Sequence, residues 1–285
     1  MNFSSVKRQA LTLLVLVMGT ALVLAQSWKT IEVKSEKMGR TIPCTVVLPD
    51  DYFDEEEASE QYPVVYVLHG HGGNHKSWVE KNPDMATLAA QYGFIIVCPD
   101  GQNSWYWDSP IDPKMQFETH IISELVPYID ANYRTIPERN SRAITGLSMG
   151  GHGALWLAMR HPDVFCACGS MSGGVDIRPF PKSWNMADRL GPYEGNEARW
   201  NEYTVINLVP KLKPGSLKII VDCGVADFFY PVNVNLHDAL LAQGIDHDFY
   251  ARPGKHTWSY WVNALDYHML FFAKAFLEFS EKEMK

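Results

Sequence analysis

The sequence predicts an α/β fold with a mostly parallel central sheet, helices on both faces and an insertion over the sheet's carboxyl edge. Three observations predict it. Short apolar runs such as Val64-Val65-Tyr66-Val67-Leu68 show no polar alternation, which suits strands covered on both faces. These runs alternate with segments whose apolar residues recur at helical spacing, as crossovers between parallel strands require. Between residues 172 and 214 the alternation fades into a stretch rich in Gly, Pro, Trp and Asn, which reads as an insertion rather than another strand–helix unit.

At 285 residues the chain is long enough for one large α/β domain with a sizeable core. Its formal charge is −8 and it has no basic stripe, which argues against nucleic acid as a partner. Lys7 and Arg8 precede an apolar run over residues 10–25 that ends in Val23 and Ala25, small side chains where a signal peptidase reads. Residues 1–25 are therefore read as a cleaved signal peptide and 26–285 as a single domain. A run of about 16 residues is shorter than the ~20 that a spanning helix needs. No stable membrane insertion is expected after cleavage, and the destination is secreted or periplasmic. The five cysteines lie in or beside apolar runs at irregular spacing, so they do not form a disulfide framework.

The elements follow in order. Residues 28–33 and 41–48 read as strands of a hairpin turning near Lys37–Gly39, expected to pair antiparallel at one edge. The acidic segment 50–61 is a solvated loop, and 64–68 is a central strand. Residues 77–92 have helical spacing; 94–97 is a strand closed by Pro99-Asp100-Gly101; 113–133 is helical again. Then come a strand over 142–147, a helix over 151–160 and a strand over 164–171. After the insertion there is a strand at 217–221, a helix at 233–243, a strand at 247–251 and a closing helix at 259–279.

The most informative motif is Gly146-Leu147-Ser148-Met149-Gly150, with a strand before it and a helix after it. A serine hydroxyl becomes a nucleophile only when a base takes its proton and the backbone presents it sharply. A strained strand-to-helix turn with flanking glycines does the second job. Ser148 is thus the candidate nucleophile. The Met149 N–H, at the positive start of a helix, is a candidate oxyanion donor. A second donor is expected from His69-Gly70-His71-Gly72-Gly73-Asn74, just past a central strand. The His71 N–H is assigned, with Gly72 the nearest competitor. His69, His71 and His75 also cluster, but no paired acidic or Cys ligand stands at a telling spacing, so no metal and no cofactor is expected.

Of ten histidines, His256 alone combines the right chain order with a loop directly after a late strand, and it is the candidate base. The acid belongs after the strand at 217–221. Asp222 and Asp227 both qualify; Asp227 is preferred because it follows the turn at Gly224 and can reach His256, with Asp222 as its supporting neighbour. His152 and Asp100 read as structural supports.

These residues resemble the esterase D-like branch of the α/β hydrolases, the group of S-formylglutathione hydrolases, tributyrin-type esterases, feruloyl and acetylxylan esterases and mycolyltransferase antigens. The likeness runs from about Val46 to Phe276 and rests on several motifs. They are Leu68-His69-Gly70 with Trp78, Pro99-Asp100-Gly101 with Ser104-Trp105-Tyr106, Gly146–Gly153, Asp222-Cys223-Gly224 with Asp227, and Gly254-Lys255-His256 with Trp258. The resemblance implies an α/β-hydrolase fold and places the acid at Asp227. The segment 172–214 has no counterpart in it and reads as lid-like.

Aromatic residues crowd the site's loops, and aromatic faces suit sugar rings and phenolic acids. Trp105 and Tyr106 are expected to line the substrate pocket, whereas Trp258 and Trp261 are expected to pack. The resulting expectation is an exported serine carboxylesterase that removes acetyl or feruloyl groups from carbohydrate, its partner a small-molecule or polysaccharide ester. Two alternatives stand beside it: an acyltransferase acting on a sugar or lipid hydroxyl, and a non-catalytic binding protein that keeps the fold.

Overall fold

Strands that are apolar on both faces require cover on both faces, and this requirement orders the molecule. A computed structural model describes residues 28–54, 56 and 58–283; the signal-peptide reading of 1–25 lies outside them. Eight strands form one sheet: β1 (Trp28–Ser35), β2 (Arg40–Val47), β3 (Val64–Leu68), β4 (Ile95–Pro99), β5 (Arg142–Gly146), β6 (Ala167–Met171), β7 (Lys218–Gly224) and β8 (Asp248–Arg252). Their spatial order is β1-β2-β4-β3-β5-β6-β7-β8. The edge hairpin pairs antiparallel, β2 pairs antiparallel with β4, and every later neighbour is parallel. The sheet is therefore mostly parallel, as the sequence predicts.

Strand β3 shows how the two layers divide. Val64, Tyr66 and Leu68 point into one apolar cluster, and Val65 and Val67 point into another. Burying each such side chain contributes roughly 1.5–3 kcal/mol. The first cluster is covered by α4 (Val126–Asn132), α5 (Met149–Arg160) and α8 (Tyr230–Ala242). The second is covered by α2 (Met85–Tyr92) and the long closing helix α9 (Trp258–Glu283). No helix among the described residues is long and apolar enough to cross a membrane.

Two helical segments differ from expectation. The helix over 77–92 is broken into α1 (Ser77–Lys81) and α2. Asn82 caps α1 with extended dihedrals, φ −120° and ψ 99°, because the ring of Pro83 disfavours helical geometry in the preceding residue. The helix over 113–133 starts later, at α3 (Phe117–Thr119), and passes through a π-helical stretch, His120–Leu125, into α4. The Gln116 amide donates to the Ser109 and Asp112 carbonyls, so the residues before α3 form a loop.

The segment 172–214 carries α6 (Met186–Leu190), α7 (Glu197–Glu202) and a 3₁₀ turn, Val205–Lys211. Its Met186, Leu190, Trp200, Val205 and Leu208 are buried in the first apolar cluster. It is an integral layer of the core, and one stretch of it reaches the carboxyl edge of the sheet. All five cysteines are buried free thiols.

Candidate active site

The strand–helix junction at residue 148 is held open only by glycine. A Cβ on Gly146 would lie 2.5 Å from the Gly150 carbonyl oxygen, and one on Gly150 would lie 2.6 Å from the His69 and Leu68 carbonyls. With those contacts relieved, Ser148 occupies φ 55°, ψ −117° between β5 and α5, a conformation that costs about 1–3 kcal/mol and persists only where its surroundings enforce it. The Ser148 N–H donates to the Met171 carbonyl at 2.9 Å, and the Ser148 carbonyl accepts from the His152 N–H at 3.1 Å.

His256 stands in the loop between β8 and α9. Its Nε2 is 2.9 Å from Ser148 Oγ and its Nδ1 is 2.8 Å from Asp227 Oδ2. The carboxylate accepts Nδ1–H, which leaves Nε2 facing the serine hydroxyl as an acceptor. Asp227 is buried, and its other oxygen accepts the Phe229 N–H at 2.8 Å. Asp222 is engaged elsewhere: its oxygens take the Tyr260 hydroxyl and the Arg252 guanidinium. Burial holds the Asp222 carboxyl above its ordinary value despite both partners.

The three clustered histidines diverge. His69 donates from Nδ1 to the Gly70 carbonyl at 2.7 Å and accepts the Gly101 N–H on Nε2 at 2.8 Å. His75 Nδ1 pairs with Thr45 Oγ1, and His71 Nε2 reaches Asn185 Oδ1 at 2.9 Å. The Gly72 N–H is occupied by Asn103 Oδ1 at 2.8 Å, so the competitor for the oxyanion role has a partner. Met149 is the first residue of α5, where backbone N–H groups have no acceptor within the helix. His152, fully buried, accepts from Trp107 Nε1 and donates to the Gly174 carbonyl. Burial pushes it down to about 4, so it supports the loops as a neutral ring. Asp100 Oδ1 accepts the Gln102 N–H at 2.7 Å.

A cleft of about 570 Å³ opens over Ser148 and His256. The structure corrects the expected lining. Trp105 and Tyr106 are buried, at 1% and 0% exposure, and neither borders the cleft. Their backbones take φ 60° and 61°, which turns both rings inward. Trp105 stacks on Trp107 with centroids 5.4 Å apart and donates from Nε1 to the Trp184 carbonyl. The Tyr106 hydroxyl donates to the His69 carbonyl. The aromatic walls come instead from Trp184, Phe228, Trp258 and Trp261. Trp258 and Trp261 do pack, against Trp78 and edge-on to His256 respectively, yet each also borders the cleft. Phe228 lies 4.3 Å from the His256 ring centroid and is 49% exposed. Sequence reasoning missed it, although its place directly after Asp227 was a signal.

Residues 35–272 match the family model described as "Putative esterase". The chain belongs to the Esterase family. This esterase is 28% identical over 225 residues to the acetyl esterase of Caldicellulosiruptor saccharolyticus, an alignment covering 75% of this chain and 84% of that protein. A solved ferulic acid esterase is 30% identical with a TM-score of 0.74, over 87% of this chain and 98% of its own. The diacylglycerol acyltransferase/mycolyltransferase Ag85B of Mycobacterium leprae is 28% identical over 271 residues, covering 81% of this chain and 79% of that protein. Family, relatives and fold agree with the esterase D-like group of α/β hydrolases, and the chain is a carboxylic ester hydrolase. The alternative of a non-catalytic protein that keeps the fold falls away.

Proposed function

We propose that this chain is an exported serine esterase that hydrolyses acyl esters of carbohydrate, acetyl or feruloyl, through a covalent acyl-enzyme. The observation that carries the serine mechanism is the continuous hydrogen-bond path from Asp227 through His256 to Ser148. In that mechanism His256 Nε2 takes the Ser148 proton as Oγ attacks the ester carbonyl carbon. The Met149 and His71 N–H groups hold the developing oxyanion. Asp227 stabilises the imidazolium, which then gives its proton to the leaving alcohol. Water, deprotonated by His256, attacks the acyl-enzyme, and as the tetrahedral intermediate collapses the imidazolium returns that proton to Ser148 Oγ and the acid is released.

Support for the carbohydrate ester comes from the names of the acetyl esterase and ferulic acid esterase relatives and from the aromatic walls of the cleft, since flat rings suit sugars and phenolic acids. Support for export is the charged-then-apolar pattern of residues 1–25. The test is a panel of p-nitrophenyl acetate, p-nitrophenyl butyrate, methyl ferulate and acetylated xylan, run with wild type, Ser148→Ala and His256→Ala. Activity that collapses in both variants, with the carbohydrate or ferulate ester preferred, is the expected result. Full activity in Ser148→Ala overturns the mechanism. A preference for p-nitrophenyl butyrate overturns the substrate class.

Acyl transfer is a second reading, favoured by the similarity to the Mycobacterium leprae acyltransferase. A sugar or lipid hydroxyl would then replace water in the second half-reaction. Transesterified product that rises with acceptor concentration would establish it.

A further inference from the structure

Gly70-His71-Gly72-Gly73 offers one side chain, the His71 imidazole. The backbone around it is partly held: the Gly70 carbonyl accepts from the Gly73 N–H and His69 Nδ1, and Asn103 takes the Gly72 N–H. Gly72 has φ 76°, a left-handed backbone that glycine adopts without steric cost. The His71 side chain is held by the 2.9 Å bond from its Nε2 to Asn185 Oδ1.

Asn185 is itself fixed. Its Nδ2 donates to Asp188 Oδ2 at 2.7 Å, which turns Oδ1 toward His71, so the imidazole Nε2–H donates. Its backbone is left-handed, φ 58° and ψ 16°, and Trp184 before it has φ 49°. The Trp184 carbonyl accepts from Trp105 Nε1, and the Trp184 ring packs on Phe180, Phe228 and Phe229. The turn at Asn185 thus meets the glycine loop at the His71 side chain through a hydrogen bond.

We propose that Asn185 is a positioning residue for catalysis: through the His71 side chain it holds the His71 N–H where the oxyanion forms. This rests on the reading of His71 as an oxyanion donor, and it gives the 172–214 insertion a part in the chemistry as well as in the core. The bond joins two segments 114 residues apart in sequence, so disturbing the insertion disturbs the oxyanion hole.

The decisive comparison is Asn185→Gly against Asn185→Asp made together with Asp188→Asn, an exchange that retains the contact between positions 185 and 188, since aspartate at 185 alone would face the Asp188 carboxylate. Both replacements accept a left-handed backbone, but only aspartate retains an acceptor for His71. Kinetics on p-nitrophenyl acetate and inhibition by an aryl trifluoromethyl ketone, whose adduct with serine mimics the oxyanion, would be measured for both. Deleting an oxyanion donor costs ~100- to 1000-fold in kcat, and loosening one should cost part of that, roughly 10-fold for Asn185→Gly. KM should stay near the wild-type value, because a donor felt only in the transition state changes kcat. The ketone should weaken by the same factor as kcat, and the Asn185→Asp/Asp188→Asn exchange should restore both. His71→Ala, which retains the backbone N–H, should match Asn185→Gly, and the double variant should be no worse than either. Equal activity in Asn185→Gly and wild type, a rise in KM alone, or equal losses in both Asn185 variants would overturn the proposal. Ser148→Ala and His256→Ala separate the two readings. If they are inactive while Asn185→Gly equals wild type, only the role of Asn185 fails; if they are active, the serine mechanism fails with it.

Discussion

Asp227 Oδ2 accepts a hydrogen bond from His256 Nδ1 at 2.8 Å, whereas Asp222, five residues earlier, makes no contact with that ring and is tied to Arg252 and Tyr260. The two carboxylates therefore predict opposite mutant phenotypes. Asp227→Asn should lower kcat by about 10⁴-fold with little change in melting temperature, because the imidazole loses its orienting acceptor. Asp222→Asn should retain catalysis and lose stability, about 1.5–3 kcal/mol, because it removes the charged partner of Arg252, which keeps Asn263 and the Tyr267 ring. Steady-state kinetics and thermal melts of both variants check the pair. A slow Asp222→Asn with a wild-type melt would reverse the assignment.

The cleft walls predict where substrate preference is set. Trp184→Ala should raise KM for methyl ferulate more than for p-nitrophenyl acetate, since the larger acyl group gains more from an aromatic wall. Tyr106→Phe should leave both KM values unchanged and cost about 1 kcal/mol, the worth of its hydrogen bond to the His69 carbonyl. A change in KM for Tyr106→Phe would place that ring at the substrate.

Buried neutral histidines predict the acid limb of stability. Burial lowers His152 to about 4 and His268 to about 3, from an ordinary value of 6.5. Below pH 6.5 the unfolded chain takes up protons at these positions and the native chain does not. Stability should therefore be unaffected by them above that value and fall as pH drops from 6.5 toward 4. At full slope each contributes about 1.4 kcal/mol per pH unit. His268 Nε2 has no protein partner and Nδ1 pairs with the buried Thr145 Oγ1 at 2.8 Å, so His268→Met with Thr145→Val removes the titration without stranding that hydroxyl. Urea unfolding from pH 7 to pH 4.5 should show a flatter acid limb for that variant. An unchanged slope would assign the acid sensitivity elsewhere.

The five buried thiols predict chemical silence in the native protein. Burial raises Cys44, Cys98, Cys166, Cys168 and Cys223 above the ordinary thiol range, and the thiolate is the reactive form. Iodoacetamide should leave the native mass unchanged and add five labels in denaturant without reductant. Fewer than five labels would reveal a disulfide.

Much of the architecture was legible because it rests on short-range chemistry. Parallel strands buried on two faces need unbroken apolar runs, and residues 64–68 spell one. The elbow at Ser148 was legible for a similar reason: a backbone that close to its neighbours excludes a Cβ at Gly146 and Gly150. The break before Pro83 was written in the sequence too, since the proline acts on the residue beside it, but helical spacing on both sides concealed it.

What the chain alone determined was the alternation of strands and helices, the serine in its turn and the order in which acid and base follow. Tertiary structure alone decided which side chains face the cleft. Trp105 and Tyr106 looked like binding residues, but two left-handed backbone positions turn them into the core, where Trp107, His152 and the Trp184 carbonyl meet Trp105 and the His69 carbonyl meets Tyr106. Asn185 was invisible for the same reason, since its partner lies 114 residues away. Local rules act through neighbouring atoms and leave a mark in neighbouring letters; a side chain's direction in a loop is settled by the packing of distant segments, which no stretch of sequence records.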